Sequence, residues 1–425
     1  MGFPGTLPVV NKEAVKQVLR VGAALGGTLA DYTEFDRKNY FYPDLPKGYQ
    51  ISQYQFPLVS KGSLRDISIT RVHLEEDTAR SQHGGDGWSL VDFNRSGIPL
   101  MELVTDPVIH DAHVASQFAQ ELQLLLRYLG AGDANMEKGQ MRVEANISVS
   151  KTKDFGTKVE VKNLNSFKSV EKAIEYEIKR QTEALERGEA IVQETRGWDE
   201  MKEITYSQRI KEDSHDYRYF PDPDIPKFRL SRVDEFSSKH IKNSLPELPW
   251  IKRERLIRNG LDVANAEILV ADHAYASLYD EKIEPIKDAK EKKIATNILL
   301  TSIRGMNAGD SELARIGDSL AVAARMRASG EINSSAAFTV IQKVLETGKP
   351  FKRIADDMGL LQMSDSGSVD QIAFEIVKEN EAVVNEIKAG KEEAMKYLLG
   401  QGMKKTKGAV NPPQLEASLK RIIFP

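Results

Sequence analysis

TRVHLEEDTARSQHGGDGWSLVDFNRSGIPLMELVTDP, residues Thr70 to Pro107, holds two short runs that read as strands and carry acid where a core strand has no use for it. Glu102 stands in Gly97-Ile98-Pro99-Leu100-Met101-Glu102-Leu103-Val104, an apolar run of strand length. A carboxylate in such a run is expected to be buried, and a buried charge is costly unless it is paired or bound to a metal. Upstream lie Glu75, Glu76 and Asp77. In an extended segment His73, Glu75 and Asp77 share one face, and Leu74 and Glu76 the other. Two extended segments that each offer carboxylates suit a hard cation such as Mg²⁺, which takes one or two carboxylates together with substrate phosphates. A plainer reading also stands, in which Glu75–Asp77 is a solvated turn and Glu102 pairs with an arginine.

Outward from this stretch, Asn11–Leu25 has the spacing of an amphipathic helix, with Val15, Val18, Leu19 and Val21 on one side and Gly26-Gly27 as its stop. FDRKNYFYPD (Phe35–Asp44) and YQISQY (Tyr49–Tyr54) interleave aromatic and basic residues. That mixture suits a nucleotide or RNA surface, and equally an aromatic strand pair with a charged turn. Asp111–Leu129 predicts a helix with Val114, Phe118, Leu122 and Leu125 along one stripe and Gly130 after its end. His110 and His113 at its start read as surface residues. Gln140–Val149 alternates as a half-buried strand, and Lys158–Lys162 repeats the alternation. The polar side of the first, Arg142, Glu144 and Asn146, is either solvent surface or a further wall of the acidic site. Ser166 caps a helix that runs to about Arg187, and two more strands are expected within 189–212. The prolines of Ser214–Pro226 argue against regular structure there. No βαβ rhythm, Walker A or dinucleotide-binding glycine pattern is present. The fold class expected is α+β with an antiparallel sheet.

From about Leu245 the texture changes. Pro246 and Pro249 mark a boundary, and helices are expected beyond it, among them Trp250–Asn259, Asn265–Asp280 and Glu291–Met306. Ser364–Ser368 reads as a linker, and Gly400–Gly408 as a connection between helices. The domains expected are an α+β cradle at 1–242, a helical domain at 243–356 and a small helical tail at 357–425. Lys and Arg number 59 against 63 Asp and Glu, a net charge of −4. No global basic field therefore advertises nucleic acid, and any RNA contact must be a local patch. The residues from Glu386 onward are locally basic, with Lys404, Lys405 and Lys407 clustered beside Gly402 and Gly408, where the backbone can come close to a phosphate. With no cysteine in the chain, disulfides, thiolate zinc sites and a cysteine nucleophile are excluded. No apolar run reaches the length of about 18 residues that a membrane span needs. The start formally matches a myristoylation pattern, carries no signal peptide, and reads like a loop or a domain that has lost its beginning.

Taken together, FDRKNYFYPD, YQISQY, TRVHLEED, SLVDFNRSGIPLMELV, MEKGQMRVEANIS, VEVKNLNSFKSVEKAIEYE, QETRGWDE and DYRYFPDPD resemble the GatB family, one of the subunits of the tRNA-dependent aspartyl/glutamyl amidotransferase. Glu331–Ser335 and Gly400–Gly408 resemble that family's tRNA-binding tail. The resemblance implies that a misacylated Glu-tRNA(Gln) or Asp-tRNA(Asn) is bound, and that its side-chain carboxylate is phosphorylated with ATP and Mg²⁺. Ammonia from a separate amidase subunit then makes Gln-tRNA or Asn-tRNA. It implies a cytoplasmic heterotrimer with the amidase and a small third subunit. The cradle is then the kinase and transamidase domain, and Lys404, Lys405 and Lys407 are tRNA contacts. The family's metal-binding glutamates fall on Glu75 and Glu102. Glu76 and Glu144 are candidates for a second ion, and Arg142, Asn146 and Lys162 for nucleotide contacts.

One departure stands out. The family begins with a strand carrying a Glu-x-His pair that completes its metal site, and this chain opens after that strand. No histidine here is expected to replace the missing one, since His73 belongs to a different motif. The alternative is a non-catalytic tRNA-docking and assembly protein of the same fold without a complete kinase site.

Overall fold

The structure is a computed structural model that describes residues 5–83, 87–210, 217–361, 366–406 and 409–424. It divides into two compact units, Met1–Lys252 and Arg253–Pro425. The first is a set of small sheets braced by helices, and the second is helical, an α+β chain as expected.

The first unit is built around the Ile67–Glu76 strand. Pro99–Thr105 pairs with it antiparallel on one side, and Val59–Ser60 on the other. Its alternation changes phase part-way. Ile67 and Ile69 are buried, then Val72 and Leu74 are. The cause is a bulge at Thr70: Val104 faces Arg71 while Thr105 faces Ile69, so one residue of the long strand has no opposite number. Beyond the bulge, the odd-numbered residues Arg71, His73 and Glu75 share the face turned away from Val72 and Leu74.

Asn11 caps the Lys12–Ala24 helix, its Oδ1 accepting from the Ala14 N–H at 3.0 Å. The apolar stripe of that helix joins Leu58, Val59, Ile69, Val72 and Leu74 in one core. Gly22 sits where the helix crosses Val59, and a Cβ there would lie 2.3 Å from Val59 Cγ2. Glycine in a helix interior costs about 1 kcal/mol against alanine, so this one is present for close approach.

A second sheet runs in the order Val143–Ile147, Val159–Leu164, Glu194–Asp199, Ile204–Ile210. It is not wholly antiparallel. Val159–Leu164 and Glu194–Asp199 are parallel, because the Phe167–Glu186 helix between them carries the chain back to the same end. That βαβ passage is absent from the sequence-based expectation. The helix is tied down by Glu177, fully buried, which accepts from Gln181 Nε2 and Thr205 Oγ1 at 2.9 Å each and pairs with Arg180 and Arg196.

The aromatic and basic stretch forms the Asp36–Asn39 and Tyr49–Ser52 hairpin. Phe220–Pro221 pairs on the outer edge of Asp36–Asn39. Regular structure therefore does occur in the proline-rich segment, on an edge strand, where the missing N–H of Pro221 costs no internal ladder bond. Residues 214–216 of that segment lie outside the described ones.

In the second unit, the single helix expected over Asn265–Asp280 is broken at Asp272, which caps a new helix, His273–Leu278, through its carboxylate. The tail helices Ser366–Glu379, Glu381–Lys388, Met395–Lys405 and Pro412–Ile423 close over their own core of Ile376, Leu398, Leu415 and Leu419. Gly400–Lys405 is thus helix, not connection. No helix among the described residues is long and apolar enough to cross a membrane.

Gly22→Ala is expected to destabilise the protein by about 1–3 kcal/mol through overpacking. Combining it with Val59→Ala should cost less than the sum of the two single changes. Urea unfolding of the three variants measures both, and strict additivity would show that helix and strand do not meet at this point.

Candidate functional site

The ladder sets Glu102 directly opposite His73, with Leu100 opposite Glu75. Residues that face each other across an antiparallel pair lie on one side of the sheet, and so do residues two apart on a strand. His73, Glu75 and Glu102 therefore converge. One ligand atom from each lies within 4.8 Å of the other two. His73 and Glu75 are buried and Glu102 is half-buried.

Glu75 is held in place by its neighbours. Ser52 Oγ donates to its Oε1 at 2.5 Å, Gln50 Nε2 donates to its Oε2 at 3.1 Å, and His73 Nε2 lies 3.1 Å from Oε1. Burial alone would raise its pKa. The His73 contact, the Lys38 charge and the Ser52 hydroxyl outweigh burial and hold it below the ordinary value. Glu102 has no hydrogen-bonding or ionic partner among the described residues, and its pKa is raised by burial and by the neighbouring Glu75 charge. The plainer reading fails on both counts: Glu75 and Asp77 are buried, and no arginine among the described residues pairs with Glu102.

The other acids of the segment go elsewhere. Glu76 pairs with Lys47 and accepts from the Ile51 backbone N–H at 2.9 Å, which fastens the hairpin to the long strand. Asp77 lies past the strand end. It leaves the face of His73 and Glu75 to accept from Arg142 at 2.9 Å and to pair with Arg95 at 3.3 Å. A file of tyrosines adjoins the acids. Tyr54 stacks on Tyr219 with centroids 4.6 Å apart, and Tyr217 meets both Tyr40 and Tyr219 edge-on at 6.0 Å. Burial, with the charge of Glu75 adding to it, pushes the Tyr40 and Tyr219 hydroxyls well above the usual tyrosine range, so both stay protonated.

The remaining sequence candidates are more scattered. Glu144 is exposed and lies 3.3 Å from Lys162, while Asn146 is exposed two residues further along the same strand. In the tail, Lys404 is exposed, whereas Lys405 is tied to Glu375 at 2.8 Å and Glu379 at 2.7 Å. Lys407 lies outside the described residues. Gly402 is not open to a phosphate: it is buried, and a Cβ there would stand 2.3 Å from Leu415 Cδ2. Its small size lets two tail helices touch.

His73 is the group that sequence reasoning left out. The expectation that no histidine of this chain completes the acidic pair is corrected by its place in the cluster. The available signal was parity, since His73 stands two residues before Glu75 on one strand face. Its pairing with Glu102 depends on the ladder.

Residues 1–234 match the family described as the GatB/GatE catalytic domain, and residues 278–423 match the one described as the GatB domain. The GatB subunit of the aspartyl/glutamyl-tRNA(Asn/Gln) amidotransferase of Caldanaerobacter subterraneus is 42% identical over 436 residues, covering 99% of this chain and 90% of that protein. The protein of the same name from Thermodesulfovibrio yellowstonii is 40% identical, covering 100% and 91%. The one from Herpetosiphon aurantiacus is 41% identical, covering 99% and 90%.

Two carboxylates and an imidazole so placed are a donor set for a divalent cation with positions left for water or phosphate. Mn²⁺ titrated into the purified chain is expected to bind there, and Glu102→Gln to remove that binding. Ser52→Ala removes only the support of Glu75 and should weaken Mn²⁺ by roughly tenfold to a hundredfold. Electron paramagnetic resonance reads the free ion, and an unchanged affinity in Ser52→Ala would show that Glu75 is not a ligand.

Proposed function

The chain belongs to the GatB/GatE family, and from that premise we propose that it is the component of a tRNA-dependent amidotransferase that activates the substrate. It acts on misacylated Glu-tRNA(Gln) or Asp-tRNA(Asn), phosphorylates the side-chain carboxylate with ATP, and passes the activated group to ammonia to give Gln-tRNA or Asn-tRNA. It works in the cytoplasm as part of a heterotrimer with a glutamine-hydrolysing amidase and a small third subunit.

The chemistry requires an activation step because a carboxylate is a poor electrophile. A divalent cation, Mg²⁺ in this reading, supplies neutralisation of phosphate charge when bound. His73, Glu75 and Glu102 hold it. Glu75 is the fixed ligand, oriented by Ser52 and Gln50, and Glu102 is the one free to turn toward the ion. The protonated Tyr219 and Tyr40 beside the acids offer hydrogen-bond donors to an incoming anionic group without adding negative charge. Arg142, Asn146 and Lys162 are assigned to the nucleotide, and Glu76 and Glu144 to a second ion. Glu76 must leave Lys47 to serve there.

The observation that carries the reading is the three-donor cluster, with one carboxylate left unpaired beside a fixed one. It favours the catalytic role over a purely docking one, since a partnerless half-buried glutamate has a cost and no structural return. Tail contacts to tRNA are assigned to Lys404, Lys405 and Lys407.

In the assembled enzyme, Glu102→Gln should abolish ADP formation driven by misacylated tRNA while leaving tRNA binding nearly intact. ADP formation at the normal rate would reject the assignment. Each phosphate contact contributes about 0.7 to 0.9 to the slope of log affinity against log salt. Lys404→Ala should flatten the slope for tRNA by that amount, and an unchanged slope would make Lys404 a solvated surface residue.

A further inference from the structure

The strand that carries His73 and Glu75 carries a third polar group on the same face. Arg71 stands opposite Val104, two rungs along the ladder from the His73–Glu102 pair. It is half-buried, its Nε is buried without a partner, and its side chain makes no hydrogen bond or ion pair with any described residue. Other arginines of this unit behave differently. Arg37 pairs with Asp222 and Asp224, Arg95 and Arg142 share Asp77, and Arg180 and Arg196 meet at Glu177.

Arg71 and Glu102 are opposite charges on one sheet face, and they do not close on each other. The Arg71 charge nevertheless reaches Glu102 and Tyr219, lowering the pKa of each against the larger effect of burial. Lys38 is a second cation of the same kind. Its Nζ lies 5.1 Å from the centroid of the Tyr217 ring, it has no ion pair among the described residues, and its charge is felt at both Glu75 and Glu102. A divalent ion cancels the two carboxylates. The two basic side chains then remain as a surplus of two positive charges at a water-poor site. A dianionic tetrahedral oxyanion matches that surplus, and a planar guanidinium presents paired N–H donors to such an anion.

We propose that Arg71 binds the phosphoryl group in this site, holding its oxygens beside the cation carried by His73, Glu75 and Glu102, with Lys38 as a second basic arm. This rests on the metal reading above. A planar carboxylate is the competing anion, and the assignment commits to phosphate.

Inorganic phosphate and acetate are titrated calorimetrically into the full chain, each with Mn²⁺ and with EDTA, for the unaltered protein and for Arg71→Ala, Arg71→Lys and Glu102→Gln. With Mn²⁺, phosphate should bind the unaltered protein, and Arg71→Ala should weaken it at least tenfold while Mn²⁺ itself binds as well or better. Arg71→Lys should fall between, because an ammonium restores the charge without the fork. Phosphate bound equally well by Arg71→Ala, acetate bound as tightly as phosphate, or no phosphate bound by the unaltered protein would each overturn the proposal. If Arg71→Ala does not fold, Arg71→Lys decides: undiminished phosphate binding overturns it and reduced binding supports it. Retention of Mn²⁺ by Glu102→Gln overturns the metal reading alone, and the comparison of Arg71→Ala with the unaltered protein in EDTA still decides on Arg71.

Discussion

The acidic cluster depends on the register between the Ile67–Glu76 and Pro99–Thr105 strands. Side chains alternate along a strand, so a slip of one residue would replace Glu102 by Met101 or Leu103 on the site face and turn the carboxylate into the core. What pins the register is the opposite face. Val72 and Leu74 are buried with Ile69 in the same core as the Lys12–Ala24 helix, while Met101 and Leu103 pack against that core from the neighbouring strand. The apolar side of the pair thus fixes where its polar side points.

The hairpin Asp36–Asn39 and Tyr49–Ser52 contributes the second layer of control. Its inner residues Gln50 and Ser52 are buried and spend their polar atoms on Glu75, and its turn sends Lys47 to Glu76. Two adjacent glutamates on one strand are thereby sorted. One is fixed inside the cluster and the other fastens the hairpin that does the fixing. The same economy recurs at Asp77, which receives Arg142 from the second sheet and so links that sheet to the acidic strand.

Much of this was legible in the sequence where the signal is local. Glu102 inside an apolar run, the caps at Asn11, Asp111 and Ser166, and the alternation of Val143–Ile147 all follow from periodicity or from a single side chain meeting a nearby N–H. What was missed depends on a partner remote in sequence. His73 needs Glu102 across the ladder, and the parallel pair needs a twenty-residue helix to bring Glu194–Asp199 back beside Val159–Leu164. Gly402 looked open until Leu415 closed on it, and Lys405 looked free until Glu375 and Glu379 took it. Pro221 looked like a breaker because nothing local shows that its strand is an edge.

The bulge at Thr70 makes residue count, rather than residue identity, the quantity under constraint in this part of the chain. Removing that one position would leave composition and hydropathy almost untouched, yet it would place Val72 and Leu74 where Arg71, His73 and Glu75 now stand, or else force the apolar start of the strand out of the core. Such a segment has room to drift in side-chain chemistry at Thr70 itself and almost none to gain or lose a residue between Ile69 and Glu76. Descent with insertions and deletions would therefore collect on either side of these eight positions and spare the interval.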